Sequence, residues 1–78
     1  MRESEFWANL EWVFGDRGHS VAQDMVLSAL DGRSLAEAVE DGVEPQKVWD
    51  ALCENMGFPE KYRYLHRIKP NERGLPPH

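Results

Sequence analysis

The residues of this chain that could do chemistry are one cysteine, three scattered histidines, a run of acids, an isolated arginine and a basic stretch rich in tyrosine. Cys53 would be a nucleophile only as a thiolate beside a base. It stands instead between Trp49 and Met56 on an apolar helical stripe, where cysteine behaves as a small core residue. As the only cysteine it cannot form a disulfide within the chain. A zinc site needs about four Cys, His, Asp or Glu ligands at recurrent spacings. His19, His66 and His78 are too far apart to pair at i+3 or i+4, and His19 near Asp16 reads as a loop hydrogen bond. No metal or other cofactor is expected.

Glu37, Glu40, Asp41 and Glu44 could suggest paired carboxylates. General acid–base work needs a cleft that perturbs them, and these acids surround a short helix and its exit, the position of a solvated face. No glycine-rich phosphate loop is present. The expectation is a protein that is not an enzyme.

Two cationic features remain. Arg33 precedes Ser34 at the positive end of a helix, where a cation is disfavoured. Either it pairs with Asp24, Asp31 or Glu37, or it joins the free N–H groups of that helix in holding an anion or a partner's carboxylate. Lys61, Arg63, Arg67 and Lys69 are interleaved with Tyr62, Tyr64 and His66, a pattern suited to nucleic acid or to a partner. The alternative is a terminal segment that docks Tyr62 and Leu65 on the core and turns its bases to an acidic body. Residues 1–57 hold twelve acids against four bases, and residues 58–78 hold five bases against two acids. Such a body repels a phosphate backbone, so only the tail could attract one.

The elements that must position these residues all read as helical. Phe6, Trp7, Leu10, Val13 and Phe14 form a stripe on a first helix from about Ser4 to Phe14, closed by a loop over residues 15–18. Ser20-x-x-Gln23 is a capping box for a second helix running to Asp31-Gly32. Val21, Ala22, Met25, Val26, Leu27, Ala29 and Leu30 cover most of its circumference, which predicts a central, buried helix. Ser34-x-x-Glu37 caps a short third helix ending at Gly42, and Pro45 opens a fourth that runs to Met56 with Val48, Trp49, Leu52, Cys53 and Met56 on one face. Gly57 ends it, with Phe58 folding back towards Cys53. Ser34 to Leu52 has the outline of a helix-turn-helix. Glu44, Gln46, Lys47 and Asp50 make too acidic a reading face, however, so helical-hairpin packing accounts for it better.

Trp12 is the residue that helix packing leaves unplaced, pointing about 150° from the middle of the Phe6–Leu10–Val13 stripe. It is covered by Tyr62, Tyr64 or Leu65 of the C-terminal segment, or it anchors a partner or a second copy.

Laid out this way, the chain resembles the short actinobacterial proteins catalogued as domain of unknown function 3046. The likeness is carried by Met1-Arg2, Glu5-Phe6-Trp7, Phe14-Gly15, Ser20, Asp24, Val26-Leu27, Leu30, Gly32-Arg33-Ser34, Glu37-Ala38, Gly42, Pro45, Val48-Trp49, Ala51, Cys53 and Pro59, in order over about residues 1–60. Ser34 stands where many members have threonine. Trp12 and the longer tail depart from the pattern. The resemblance implies a fold and an organism group rather than a chemistry. Its gene neighbourhood, beside recombinase A and its regulator, implies a link to DNA repair by association alone.

The fold expected is therefore all-α, a compact bundle of four short helices over residues 1–58. A basic aromatic segment over 59–69, possible as a further helix, and a disordered tail over 70–78 would follow. No stretch is apolar enough for a membrane span and the start is not a signal peptide, which predicts a cytoplasmic protein. The function expected is a small non-enzymatic adaptor or regulator binding another protein or itself, with Trp12 and Arg33 as contacts. The alternative is an accessory nucleic-acid-associated protein using Lys61, Arg63, Arg67 and Lys69.

Overall fold

Glu3 and Glu5 put two carboxylates in the first turn of helix α1 (Glu3–Phe14), at the positive end of its dipole. Glu5 also accepts the backbone N–H of Arg2 at 2.7 Å, satisfying a donor the helix itself leaves free. The computed structural model describes residues 1–77. On α1, Phe6, Leu10 and Val13 are buried as their spacing predicts, and Asn9 is buried with them.

A single 3-10 turn, Gly15–Arg17, leads directly into α2 (Gly18–Asp24), so the expected loop is itself helical. Gly18 is buried at the crossing with α1, where a Cβ would lie 3.2 Å from both the carbonyl carbon and the oxygen of Leu10. Glycine suits this crossing because any Cβ would be tight against the α1 backbone, which would have to give by a few tenths of an ångström. Ala22, one turn on, is fully buried.

The second helix is the main correction to the sequence reading. It does not run from a Ser20 cap to Leu30; it starts at Gly18 and ends at Asp24, and Met25 is extended. Strands β1 (Val26–Leu27) and β2 (Arg33–Ser34) then pair antiparallel, Val26 opposite Ser34 and Leu27 opposite Arg33. A 3-10 turn over Ser28–Leu30 and the left-handed Asp31-Gly32 step join them. The reason lies in how much can be covered. A helix apolar all round needs neighbours on every side, and three other short helices cannot supply them. By leaving helical geometry the chain turns Leu27 and Leu30 inward and surrenders only Val26 and Ala29 to solvent. The freed backbone groups are satisfied by the strand pair and by the Leu35 N–H, which donates to the Met25 carbonyl at 3.2 Å. The molecule is thus mostly helical with a small two-stranded sheet rather than a purely helical four-helix bundle.

Ser34 is both the end of β2 and the cap of α3 (Leu35–Glu40). The capping box forms as predicted: Glu37 N–H donates to Ser34 Oγ, and Ser34 N–H to Glu37 Oε1, each at 3.1 Å. Helix α4 (Pro45–Met56) begins on its proline and buries Val48, Trp49, Leu52 and Cys53. The Trp49 ring stands edge-on to Phe6 at 6.1 Å, joining α4 to α1 at the centre of the core. Met56, placed on the same stripe by spacing, is 42% exposed. Beyond Gly57 the Phe58 N–H donates to the Cys53 carbonyl at 3.0 Å, the expected fold-back.

The C-terminal segment packs as a 3-10 helix, Glu60–Arg67, kinked at Tyr64. Tyr62, Leu65 and Ile68 recur every third residue, the period of a 3-10 helix, and this row faces inward, with Leu65 fully buried. Within the stretch read as a disordered tail, Pro70–Glu72 makes one further turn, and Arg73 Nε donates to the Ile68 carbonyl at 3.0 Å. His78 lies outside the described residues.

Candidate functional site

Most residues singled out for chemistry are occupied by structure. Cys53 is 1% exposed, and burial pushes its thiol up to about 12, far from the thiolate a nucleophile requires. Glu37 is held below the ordinary carboxylate range by the Ser34 backbone N–H first and by the Ser34 hydroxyl next, the contacts of its capping box. Glu40 and Glu44 face solvent. Among the described residues no group of three or more His, Cys, Asp or Glu is placed to hold a metal ion.

Arg33 pairs with none of the three acids the sequence suggested. Its Nε lies 3.3 Å from Asp41 Oδ2, bridging the exit of the hairpin to the end of α3. Trp12 is half-buried, and the edge of its ring meets Tyr62 at 5.7 Å. Tyr62 packs in turn on Phe58 at 5.1 Å, and Phe58 on Phe14 at 6.1 Å, a line of four rings fastening the C-terminal segment to α1. Trp49 Nε1 donates to the Tyr62 carbonyl at 2.7 Å, and Gln46 Nε2 to the Arg63 carbonyl at 3.1 Å. Gln46 also donates to Asp50 at 2.9 Å, so two of the four polar residues of the helix-turn-helix outline are engaged within the fold, while Glu44 and Lys47 are exposed. Of the four tail bases, Lys61, Arg67 and Lys69 are exposed and Arg63 is half-buried. Lys61, Tyr64 and Arg67 share one exposed row of the 3-10 helix, with the Arg67 guanidinium 5.7 Å from the Tyr64 ring centre.

Sequence reasoning missed the pair Trp7 and His19. Spacing placed Trp7 in the core stripe, and His19 read as a loop hydrogen bond. In the structure Trp7 is half-buried, its ring edge-on to Phe6 at 5.3 Å and stacked face to face with exposed His19 at 4.9 Å and 22°. The Gly18 crossing brings His19 there, since it presses the start of α2 against the middle of α1. A glycine next to a histidine, one helix away from a tryptophan at the stripe's edge, was the available signal. The pair walls a groove of about 550 Å³, whose rim carries Ser4, Glu11 and Asp16. Ser4, Asp16 and His19 share the groove, but no hydrogen bond links them, and the imidazole lies flat on Trp7 instead. What the arrangement presents is a rigid aromatic surface beside carboxylates. A tryptophan already clamped between two rings has little freedom left to lose on binding.

Across the ridge formed by Ala8, Glu11, Gly15 and Asp16 lies a second cleft of about 390 Å³, closed by Trp12 and by Arg73 and Pro76 of the tail. A third hollow, of about 520 Å³, is apolar apart from Arg17 and is lined by Phe14, Val21, Met25, Met56 and Phe58.

A family model described as a protein of unknown function, DUF3046, matches residues 1–61. A Mycobacterium tuberculosis protein named for an envelope-preserving system is 47% identical over 36 residues, 46% of this chain. The chain spans only 13% of that relative's length. No solved structure matches. Among the described residues no helix is long and apolar enough to cross a membrane. The family match ends before Leu65, so the buried part of the C-terminal segment lies beyond it.

Proposed function

The chain belongs to the DUF3046 family of proteins of unknown function, and for this member we propose a non-enzymatic role: a small cytoplasmic adaptor or regulator that binds another protein through the Trp7–His19 groove. The observation that carries this reading is the stack itself, an exposed imidazole held on a half-buried indole at the mouth of an open groove. Tryptophan is enriched among the residues that dominate interface energy. The two contacts expected from the sequence support it less well, because Trp12 is engaged by Tyr62 and Arg33 by Asp41.

A second reading has one observation in its favour. The exposed row Lys61–Tyr64–Arg67 combines two cations with an aromatic face, the elements of a single-strand nucleic-acid platform. A photo-crosslinking residue placed at Ser4, on the groove, or at Lys61, on the tail, separates the two. Protein adducts formed from Ser4 in native cells, surviving nuclease and lost in His19→Ala, support the groove. Adducts formed only from Lys61 and abolished by nuclease would replace it with the nucleic-acid reading.

A further inference from the structure

Resting on the groove reading, we infer that the Trp7–His19 groove takes the arginine or lysine side chain of a basic segment carried by a protein partner. Three features of the site converge on a cation. The first is the rim: Glu11 and Asp16 are both exposed, and no lysine or arginine lines the groove. The second is the wall, a stack of aromatic rings against whose exposed imidazole a planar guanidinium can lie. Beside that wall, exposed Ala8 adds apolar lining suited to the methylene stem of a long cationic side chain.

The third feature is what already lies on the other side of the same carboxylates. Glu11 and Asp16 border the second cleft as well, and there the chain's own Arg73 and Pro76 close it. One face of the ridge therefore faces a basic, proline-bearing segment within the molecule, while the other stands open. A partner's cation on the open face would sit beside the same carboxylates that Arg73 borders on the closed one. The field of the whole body favours this occupant, because twelve acids against four bases over residues 1–57 draw a basic chain in and repel a phosphate backbone.

The test is a titration of the full-length, isotope-labelled protein with blocked tri-arginine, tri-serine and tri-glutamate peptides, followed by nuclear magnetic resonance. Tri-arginine should shift the Trp7 indole N–H and the His19 ring saturably, and added salt should weaken it. The doubly substituted Glu11→Gln, Asp16→Asn protein keeps the shape and loses the charge, and it should bind tri-arginine about three- to tenfold more weakly. Shifts spread evenly over the acidic surface, or an affinity unchanged by the double substitution, would overturn the inference. Tri-serine or tri-glutamate binding the groove as well as tri-arginine would also overturn it, yet leave the groove as a protein-binding site. The broader reading fails separately, if the Ser4 crosslinker captures no protein.

Discussion

The indole N–H of Trp49 is satisfied not by its own helix but by the backbone carbonyl of Tyr62, 2.7 Å away in the C-terminal segment. Trp49 is fully buried with the segment in place, so within the fold it is this carbonyl that satisfies the donor. Leu65, three residues beyond Tyr62, is itself 1% exposed. The segment is therefore a piece of the core. Leu65→Ala should cost about 2–5 kcal/mol, and deletion of residues 59–78 should cost more, because it also removes the Trp49 acceptor and uncovers the apolar surface the segment hides. Urea unfolding followed by far-ultraviolet circular dichroism measures both. A deletion that unfolds at the parent's midpoint would show that the segment contributes nothing.

Gly18→Ala tests the helix crossing. The new Cβ would meet Leu10 backbone atoms at 3.2 Å, and backbone cannot swing aside as a side-chain tip can. A loss of about 1–3 kcal/mol is expected. Displacement of α2 should also slide His19 off Trp7, read as a change in the Trp7 indole resonance. An unchanged resonance together with unchanged stability would mean that the crossing has room to spare.

Cys53 should be silent towards thiol reagents in the folded protein. Its thiol is buried and pushed up to about 12, so almost no thiolate exists at neutral pH. Modification by a disulfide reagent should follow the unfolding equilibrium, rising with urea in step with loss of helix. Rapid labelling in the absence of denaturant would contradict the burial.

Stability should fall in two stages as pH is lowered. Burial pulls His66 below its ordinary value, against the opposing pull of Glu5, and its Nδ1 is buried without a protein hydrogen-bond partner. The unfolded chain therefore takes up this proton first, as pH drops through about 6.5, and the folded state loses ground until His66 titrates too. The N-terminal amine, Arg67 and Arg73 also disfavour its charged form. Glu5 and Glu37 lie below the carboxylate range because the backbone N–H groups of Arg2 and Ser34 donate to them. The stability they add is present above that range and lost as pH falls through it. His66→Gln should remove the upper stage of a urea-midpoint profile, and Glu37→Gln should blunt the lower. A profile flat between pH 7 and 5 in the parent would refute the assignment to His66.

Much of the local chemistry was legible where neighbours in sequence settle it among themselves, the Ser20 cap excepted. The Ser34–Glu37 capping box, Pro45 at the start of α4, the turn at Gly57 and the buried face Val48–Trp49–Leu52–Cys53 all depend on residues within one or two turns, and all form as read. Family membership was legible for the same reason, since it resides in the order and spacing of such residues. Tertiary packing decided what depends on how much surface the rest of the molecule can cover. The apolar run from Val21 to Leu30 has a helical period, but there were too few neighbours to surround it, and the chain took a hairpin that hides Leu27 and Leu30 and leaves Val26 57% exposed. Packing also chose Asp41 for Arg33 over Asp24, Asp31 and Glu37, and it made the C-terminal segment the acceptor for Trp49. The stack of His19 on Trp7 belongs with these: it exists because Gly18 lets two helices meet closely, and no spacing within either helix encodes where the other will lie.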